Sequence, residues 1–291
     1  MTDLYTHNRN WGARILEFQY QGYRMLSLEN RFVRIVVAVD KGTDIVEFLY
    51  KPLDIDFMWR SYAGLRPFTN TILTKAFPPG PFLDYYPGSW QELFPSAGDD
   101  CVYRGAHLGI HGEVCLLPWS YRIERDDPEE VSVSFSVRTL RTPFHLWKRL
   151  TLRADSGALF IDEKVRNESG ETLDFMWGHH PAFGAPFLDS SCRIFLPECT
   201  VITPADYTSE SSRLEKGQRV PWPCVQGRNG SPIDLSRIPG TEAGSHDMAY
   251  MADLAGGWYA IVNEDQKVGF AMSWDKAVFP CVWFWQVYRG V

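Results

Sequence analysis

Residues 131–137 alternate without a break. Val131, Val133, Phe135 and Val137 share one parity, and Ser132, Ser134 and Ser136 share the other. A period of two sends the apolar set to one face of an extended chain and the serines to the opposite face. That is the pattern of a half-buried strand in an antiparallel sheet.

The same extended patterning recurs along the chain. Residues 32–40 form a β-branched run (Val33, Ile35, Val36, Val37, Val39). Lys41-Gly42-Thr43 makes a turn and residues 44–50 resume the apolar pattern, so the segment reads as a hairpin. Residues 54–59 add a short apolar piece. Residues 144–153 and 159–166, joined across Ala154-Asp155-Ser156-Gly157-Ala158, read as a second hairpin. Residues 258–262 and 268–274 read as a third, and residues 278–288 as a last aromatic strand. No amphipathic helix of ordinary length emerges. The best candidate, residues 208–217, is polar all round.

Two stretches break the pattern. Residues 60–100 and 218–247 are punctuated by Pro and Gly and read as loops. The first also carries Phe77, Phe82, Tyr85, Tyr86, Trp90 and Phe94, so it is expected to be ordered and to line something. Many short strands with few helices imply an all-β fold, a large antiparallel β-sandwich or a barrel. No linker interrupts the strand series, so residues 1–291 read as a single domain.

Composition removes several classes of function. The formal charge is −7, which argues against a nucleic-acid or membrane-surface partner. No apolar run approaches the length of a bilayer span. The opening residues, Met1-Thr2-Asp3-Leu4-Tyr5-Thr6-His7-Asn8, lack the basic-then-apolar order of a secretory signal, so a cytoplasmic protein is expected. The six scattered cysteines contain no Cys-x-x-Cys and read as reduced, mostly buried thiols. Eleven tryptophans suit a core and equally suit stacking on the apolar face of a sugar.

Four segments could carry chemistry. Trp177-Gly178-His179-His180-Pro181-Ala182-Phe183-Gly184 holds two adjacent imidazoles, which exchange protons readily near neutral pH. On a strand only one of the two can face a given pocket. Leu108-Gly109-Ile110-His111-Gly112-Glu113 sets a histidine among glycines, where backbone can approach a ligand. The others are Ser89-Trp90-Gln91-Glu92-Leu93-Phe94-Pro95 and Ser245-His246-Asp247-Met248-Ala249-Tyr250. His107 and His111, with His179, His180 and Glu113, could be assembled into a zinc site. However, two histidines four apart meet on a helix, and residues 108–110 look like strand or loop, so no metal is expected.

The order and spacing of these segments resemble the aldose 1-epimerase (galactose mutarotase-like) family. The matching features run from Leu28-Glu29-Asn30 and the Gly42 turn through Trp90-Gln91-Glu92-Leu93-Phe94-Pro95 and Ile110-His111-Gly112-Glu113. They continue through Lys148-Arg149-Leu150-Thr151-Leu152, Val165-Arg166-Asn167-Glu168-Ser169, His180-Pro181-Ala182-Phe183 and His246-Asp247. The resemblance implies a β-supersandwich with a sugar site and no cofactor. The implied activity is the interconversion of α and β anomers of an aldose, or a close derivative, by general acid–base catalysis. It implies His180 as the acid toward the ring oxygen, His111 as a group that binds and polarises the sugar, and Asp247 as a holder of sugar hydroxyls. Trp90, Glu92, Glu113, His179 and Trp177 flank these motifs and are further substrate-binding candidates, although Trp90 and Trp177 read equally as core.

The chain departs from the family pattern in two places. The basic residue near the first site segment has no clear counterpart; Arg66, Lys75 and Arg104 are candidates. The base-bearing Leu-Glu-Pro-like segment is not found, because residues 279–286 carry no carboxylate and the sequence stops at Val291. Either the family's final C-terminal segment is missing, or another carboxylate such as Glu92, Glu113 or Asp247 serves. The alternative is a non-catalytic sugar-binding protein of the same fold. A lyase or hydrolase of related architecture would need a placed pair of carboxylates, which the sequence does not reveal. Oligomeric state stays open in the sequence, although the aromatic strand of residues 278–288 would be an exposed edge if nothing covered it.

Overall fold

The computed structural model describes residues 9–67 and 80–289. The chain divides into two compact units, Met1–Gly184 and Ala185–Val291. Strands of the first unit are β1 (Arg14–Tyr20), β2 (Tyr23–Glu29), β3 (Val33–Ala38), β4 (Asp44–Tyr50), β5 (Ile55–Asp56), β6 (Trp90–Leu93), β7 (Cys101–Tyr103), β8 (Ala106–Leu108), β9 (Ser120–Asp126), β10 (Glu130–Arg138), β11 (Phe144–Arg153), β12 (Leu159–Asn167) and β13 (Gly178–Pro181). Seven of them form one sheet in the order β1-β2-β3-β4-β6-β13, with β5 paired to β4. A second sheet runs β12-β11-β10-β9, and β7 and β8 pair by themselves. Every one of these strand pairs is antiparallel.

Alternation decides what the two large sheets bury. Val131, Val133 and Phe135 of β10 are at most 1% exposed. Leu146, Leu150 and Leu152 of β11 join them on the same face. Phe94, just after β6, meets Phe144 of β11 edge to face at 5.0 Å, so the two sheets pack as a sandwich. The serine face is less open than the pattern suggests: Ser134 and Ser136 are half-buried and Ser132 is buried. Ser134 Oγ donates to Glu124 Oε1 of the neighbouring strand, which keeps the serine close to the sheet.

All three expected hairpins form, as β3–β4, β11–β12 and a pair in the second unit. The stretch expected to be irregular contains β6 and a short helix, α1 (Gly80–Asp84). Trp90–Leu93 becomes a strand because β13 supplies its pairing partner from far along the chain. Lys75, Phe77, Pro78 and Pro79 lie outside the described residues.

The second unit contains β14 (Cys192–Phe195), β15 (Thr200–Ile202), β16 (Arg219–Pro221), β17 (Cys224–Gln226), β18 (Pro232–Asp234), β19 (Ser245–Ala252), β20 (Trp258–Asn263), β21 (Val268–Ser273) and β22 (Val282–Tyr288). Its sheets run β14-β20-β21, β16-β15-β19-β22 and β17-β18. Residues 208–217 form no helix. The backbone N–H groups of Arg213 and Leu214 donate instead to the buried Asp247 carboxylate, and that side-chain acceptor replaces a helical ladder. All six cysteines are free. Cys115 and Cys192 are buried, whereas Cys101, Cys224 and Cys281 are exposed, so the thiols are less buried than expected. The three exposed cysteines sit at strand starts: Cys101 opens β7, Cys224 opens β17, and Cys281 directly precedes β22.

Candidate functional site

Strand β13 lies last in the order of its sheet and pairs with β6, so that His179 sits opposite Glu92 and His180 opposite Gln91. The period of two sends the two imidazoles to opposite faces. Each face has its own chemistry.

On the His180 face, the His180 ring centre lies 5.3 Å from that of His111 and 5.8 Å from that of Tyr86. Tyr86 stacks on Phe82 at 5.2 Å, and Phe82 meets His111 edge-on at 4.5 Å. Trp59 lies 6.0 Å from Tyr86. Helix α1 supplies Phe82, so the aromatic loop does line something, namely the two imidazoles. His111 and His180 are both half-buried.

The backbone holds His111 in an uncommon conformation. Its φ is 61° and that of Gly112 is 77°, two successive left-handed residues. A Cβ on Gly112 would stand 2.4 Å from the Phe94 carbonyl oxygen, so only glycine fits there. His111 N donates to the Gly98 carbonyl at 3.0 Å. His111 Nδ1 lies 2.8 Å from the Ala97 carbonyl oxygen. A carbonyl can only accept, so Nδ1 carries the proton and Nε2 keeps its lone pair. Burial lowers the His111 pKa below its ordinary value. Burial first, then His111 and Lys41, push His180 down to about 3. Both imidazoles are therefore neutral at neutral pH.

Beside them is a fully buried ion pair. Lys41 Nζ donates to Asp44 Oδ2 at 2.7 Å, and Gln91 Nε2 donates to the same oxygen at 3.1 Å. Burial raises the Asp44 pKa, and the contacts to Lys41 oppose that rise.

On the His179 face, charged groups fill the interior of the sandwich. Trp90 Nε1 donates to His179 Nδ1 at 3.0 Å, and His179 Nε2 lies 2.8 Å from Glu163 Oε2 on β12. Lys148 Nζ, from β11, donates to Glu92 Oε2 at 2.9 Å, and Trp177 Nε1 donates to Glu92 Oε1 at 3.0 Å. The Lys148 ammonium also lies 4.9 Å above the Trp119 ring. Burial, and then Glu163, raise the Glu92 pKa. Burial pushes Glu163 the same way, but His179 and Lys148 outweigh it and its pKa is lowered.

The structure thus brings His111 and His180 together, and separately gathers His179, Trp90, Trp177 and Glu92. Glu113 joins neither group. Its carboxylate accepts from the backbone N–H of Leu140 at 2.7 Å and of Arg141 at 3.0 Å, which pins the turn before β11. Asp247 belongs to the second unit, where it accepts from Arg213 N at 2.7 Å, Arg213 Nε at 2.9 Å and Leu214 N at 3.2 Å. Of the basic candidates, the Arg66 carbonyl accepts from Tyr23, Arg104 forms an exposed pair with Glu171, and Lys75 lies outside the described residues. His107 is exposed on β8, and among the described residues no three His, Cys, Asp or Glu side chains gather as a metal site.

Sequence reasoning missed Lys148, Glu163, Lys41 and Asp44. Two of them carried a readable signal. Lys148 shares parity with Leu146 and Leu150, and Glu163 with Ile161 and Val165, so each charge sits on an apolar face of its strand. An open groove of about 420 Å³ on the outer side of the second sheet is lined by Trp147, Arg149, Asp162 and Lys164 among others, and neither His111 nor His180 reaches it.

A family model described as "Domain of unknown function (DUF4432)" matches residues 20–290. No curated protein matches the sequence significantly. Among solved structures, a candidate aldose 1-epimerase from Klebsiella pneumoniae superposes with a TM-score of 0.71 at 14% identity, covering 96% of this chain and 70% of that one. A TPR-domain containing protein from Parabacteroides distasonis gives 0.61 at 15% identity, covering 91% of this chain and 38% of that one. A galactose mutarotase-like protein from Lactobacillus casei gives 0.53 at 15% identity, covering 90% and 83%. At such identities the likeness establishes the fold: an all-β, galactose mutarotase-like architecture.

Proposed function

The chain belongs to the DUF4432 family, and we propose that it binds an aldose, or a close derivative, against His111 and His180 and interconverts its anomers. The observation that carries this reading is the pair of neutral imidazoles 5.3 Å apart beside an aromatic wall of Phe82, Tyr86 and Trp59. Opening a cyclic hemiacetal needs a proton taken from O1 and one supplied to the ring oxygen, and two positioned groups can serve both ends. Aromatic faces suit the apolar C–H surface of a pyranose. His180 is assigned to the ring oxygen. Trp90, Trp177, Glu92 and His179 are assigned to holding β6 and β13 from the opposite face. No cofactor enters the scheme, and its setting is a reducing, cytoplasmic one, in keeping with six free cysteines.

The test is polarimetric mutarotation of freshly dissolved α-glucose and α-galactose. The expected result is acceleration by the wild-type protein and its loss in His180→Ala, with the circular dichroism spectrum retained. The second reading, a sugar-binding protein without turnover, is favoured by the absence of a carboxylate from residues 279–286. Calorimetric binding of an aldose with no acceleration of anomer exchange would establish it in place of the first.

A further inference from the structure

Four tyrosines of the chain donate their hydroxyls to acceptors within the protein. Tyr23 donates to the Arg66 carbonyl, Tyr121 to Glu17, Tyr207 to Glu215 and Tyr103 to Asp174. Tyr86 is different. Its hydroxyl forms no hydrogen bond among the described residues, and it is not one of the buried polar atoms left without a partner. A half-buried ring therefore carries a phenol that the protein neither uses nor seals away. A packed tyrosine ordinarily finds a partner for its O–H. At this position the partner comes from outside the fold.

The ring itself is fixed. Trp59, Phe82 and His180 lie 6.0, 5.2 and 5.8 Å from it, centre to centre. The backbone after Tyr86 is laced to the Trp59 segment. Ser61 N donates to the Pro87 carbonyl at 2.8 Å, and Ser89 N to the Trp59 carbonyl at 2.7 Å. Two glycines make room for Trp59. A Cβ on Gly184 would stand 2.5 Å from its Cδ1, and a Cβ on Gly88 would stand 2.3 Å from its carbonyl oxygen. A wall so constrained delivers its hydroxyl to one place with little ordering left to do on binding. Burial first, and then the Asp44 carboxylate, raise the Tyr86 pKa, so the phenol keeps its proton and remains a donor. Asp44 is itself held by Lys41 and Gln91.

We infer that Tyr86 is a specificity-determining residue of the sugar site, its hydroxyl donating to one hydroxyl of an aldose bound beside His111 and His180. The inference rests on the sugar-site reading above and deepens it. The faces of Trp59 and Phe82 suit the apolar C–H surface that pyranoses share, so they hold a sugar without telling one aldose from another. Aldoses differ in where their hydroxyls point, and a fixed donor on the wall reads that difference. A site built to bond a substrate hydroxyl rejects an analogue that lacks it, because the site's own polar group is then left unpaired. The hydroxyl that Tyr86 meets takes no part in anomer exchange. The bond is therefore made equally to the bound sugar and to the transition state, and its loss shows in KM rather than kcat.

The test compares wild type with Tyr86→Phe in polarimetric mutarotation of α-glucose, α-galactose and their monodeoxy analogues, with a calorimetric Kd for each sugar. Phenylalanine keeps the ring and its aromatic neighbours, so the fold is expected to survive, and circular dichroism checks it. In the wild type one monodeoxy analogue should lose about tenfold or more in kcat/KM against its parent, the loss of one good hydrogen bond. Tyr86→Phe should raise KM for that parent about tenfold with kcat changed far less, and should no longer discriminate against that analogue. A folded Tyr86→Phe with the wild-type KM, or one that penalises the parent and every analogue alike, overturns the assignment while leaving the mutarotation reading in place. If the wild type binds an aldose without turnover, the same comparison is read in Kd with the same two outcomes. A wild type that neither accelerates nor binds overturns the sugar-site reading itself, and the Tyr86 assignment with it.

Discussion

Trp90 Nε1 donates to Nδ1 of His179 at 3.0 Å, and this one bond sets the protonation of the buried cluster. An indole N–H can only donate, so Nδ1 must be bare and the imidazole proton must sit on Nε2, toward Glu163. Burial lowers the His179 pKa, but Glu163 and Glu92 outweigh it and the net shift is upward. Acid can therefore protonate His179 only by breaking the Trp90 bond. Nitrogen-15 NMR should show the Nε2–H tautomer once the pH is above the raised His179 pKa. Trp90→Phe should raise the His179 pKa further, because the imidazolium no longer displaces a donor. A Trp90→Phe titration that matches wild type would contradict this account.

Lys148 carries the positive charge nearest to Glu92 and also lowers the pKa of Glu163. Replacing it with Met keeps the volume and leaves the buried Glu92 without its cation, while Glu163 keeps His179. Removing one partner of a buried pair costs about 3–5 kcal/mol. Lys148→Met should therefore unfold at markedly lower urea concentration at neutral pH. Glu92, already raised by burial, would bind its proton more tightly folded than unfolded, so the stability it contributes should rise as pH falls. Urea midpoints measured across pH check both magnitude and sign.

The strand pattern was legible because alternation is local. Val131, Val133 and Phe135 announced their face within a few residues, and β3–β4 and β11–β12 each closed through a short turn. Strand β6 was hidden among prolines and glycines because its partner β13 lies far away in sequence. The opposition of His179 and His180 followed from the strand period alone. The divided chemistry of the two faces did not, because Glu163 and Lys148 reach it from another sheet. Their placement on apolar parity was the trace they left in the sequence. The partner of Asp247 was equally non-local: Arg213 sits in residues 208–217, a polar stretch that carried no convincing helix pattern.

His180 provides a pH signature of the folded state. Its pKa is about 3 in the protein against an ordinary 6.5, so the unfolded chain takes up a proton that the native site refuses. The stability this contributes is fully present above the unfolded value and drains as pH falls through that interval. The slope is at most about 1.4 kcal/mol per pH unit for one such group. His111, also lowered, adds to it in the same direction. Chemical denaturation of wild type and His180→Gln at a series of pH values should give a difference that narrows steadily as pH falls. A constant difference would show that His180 is protonated as easily folded as unfolded.

Asp247 is the acidic residue whose surroundings speak most plainly for anchoring its own unit. Its carboxylate receives two backbone N–H groups and the Arg213 guanidinium, and it is 1% exposed. Arg213 also donates to Gln286 and lies 5.6 Å over the Tyr288 ring, so the pair ties residues 213–214 to β19 and β22. Asp247→Asn keeps the shape but removes the charge and turns an amide toward donors. A hydrogen bond to a charged group is worth about 1.5–3 kcal/mol, and a buried donor left unmade costs a similar amount. The variant should lose about 3 kcal/mol or more of stability, read by urea denaturation. If the anchoring role is the whole of its work, the folded fraction of Asp247→Asn should show the wild-type KM for mutarotation. A KM raised about tenfold or more, with stability intact, would instead make Asp247 a holder of sugar hydroxyls, since that ratio is the loss of one good hydrogen bond.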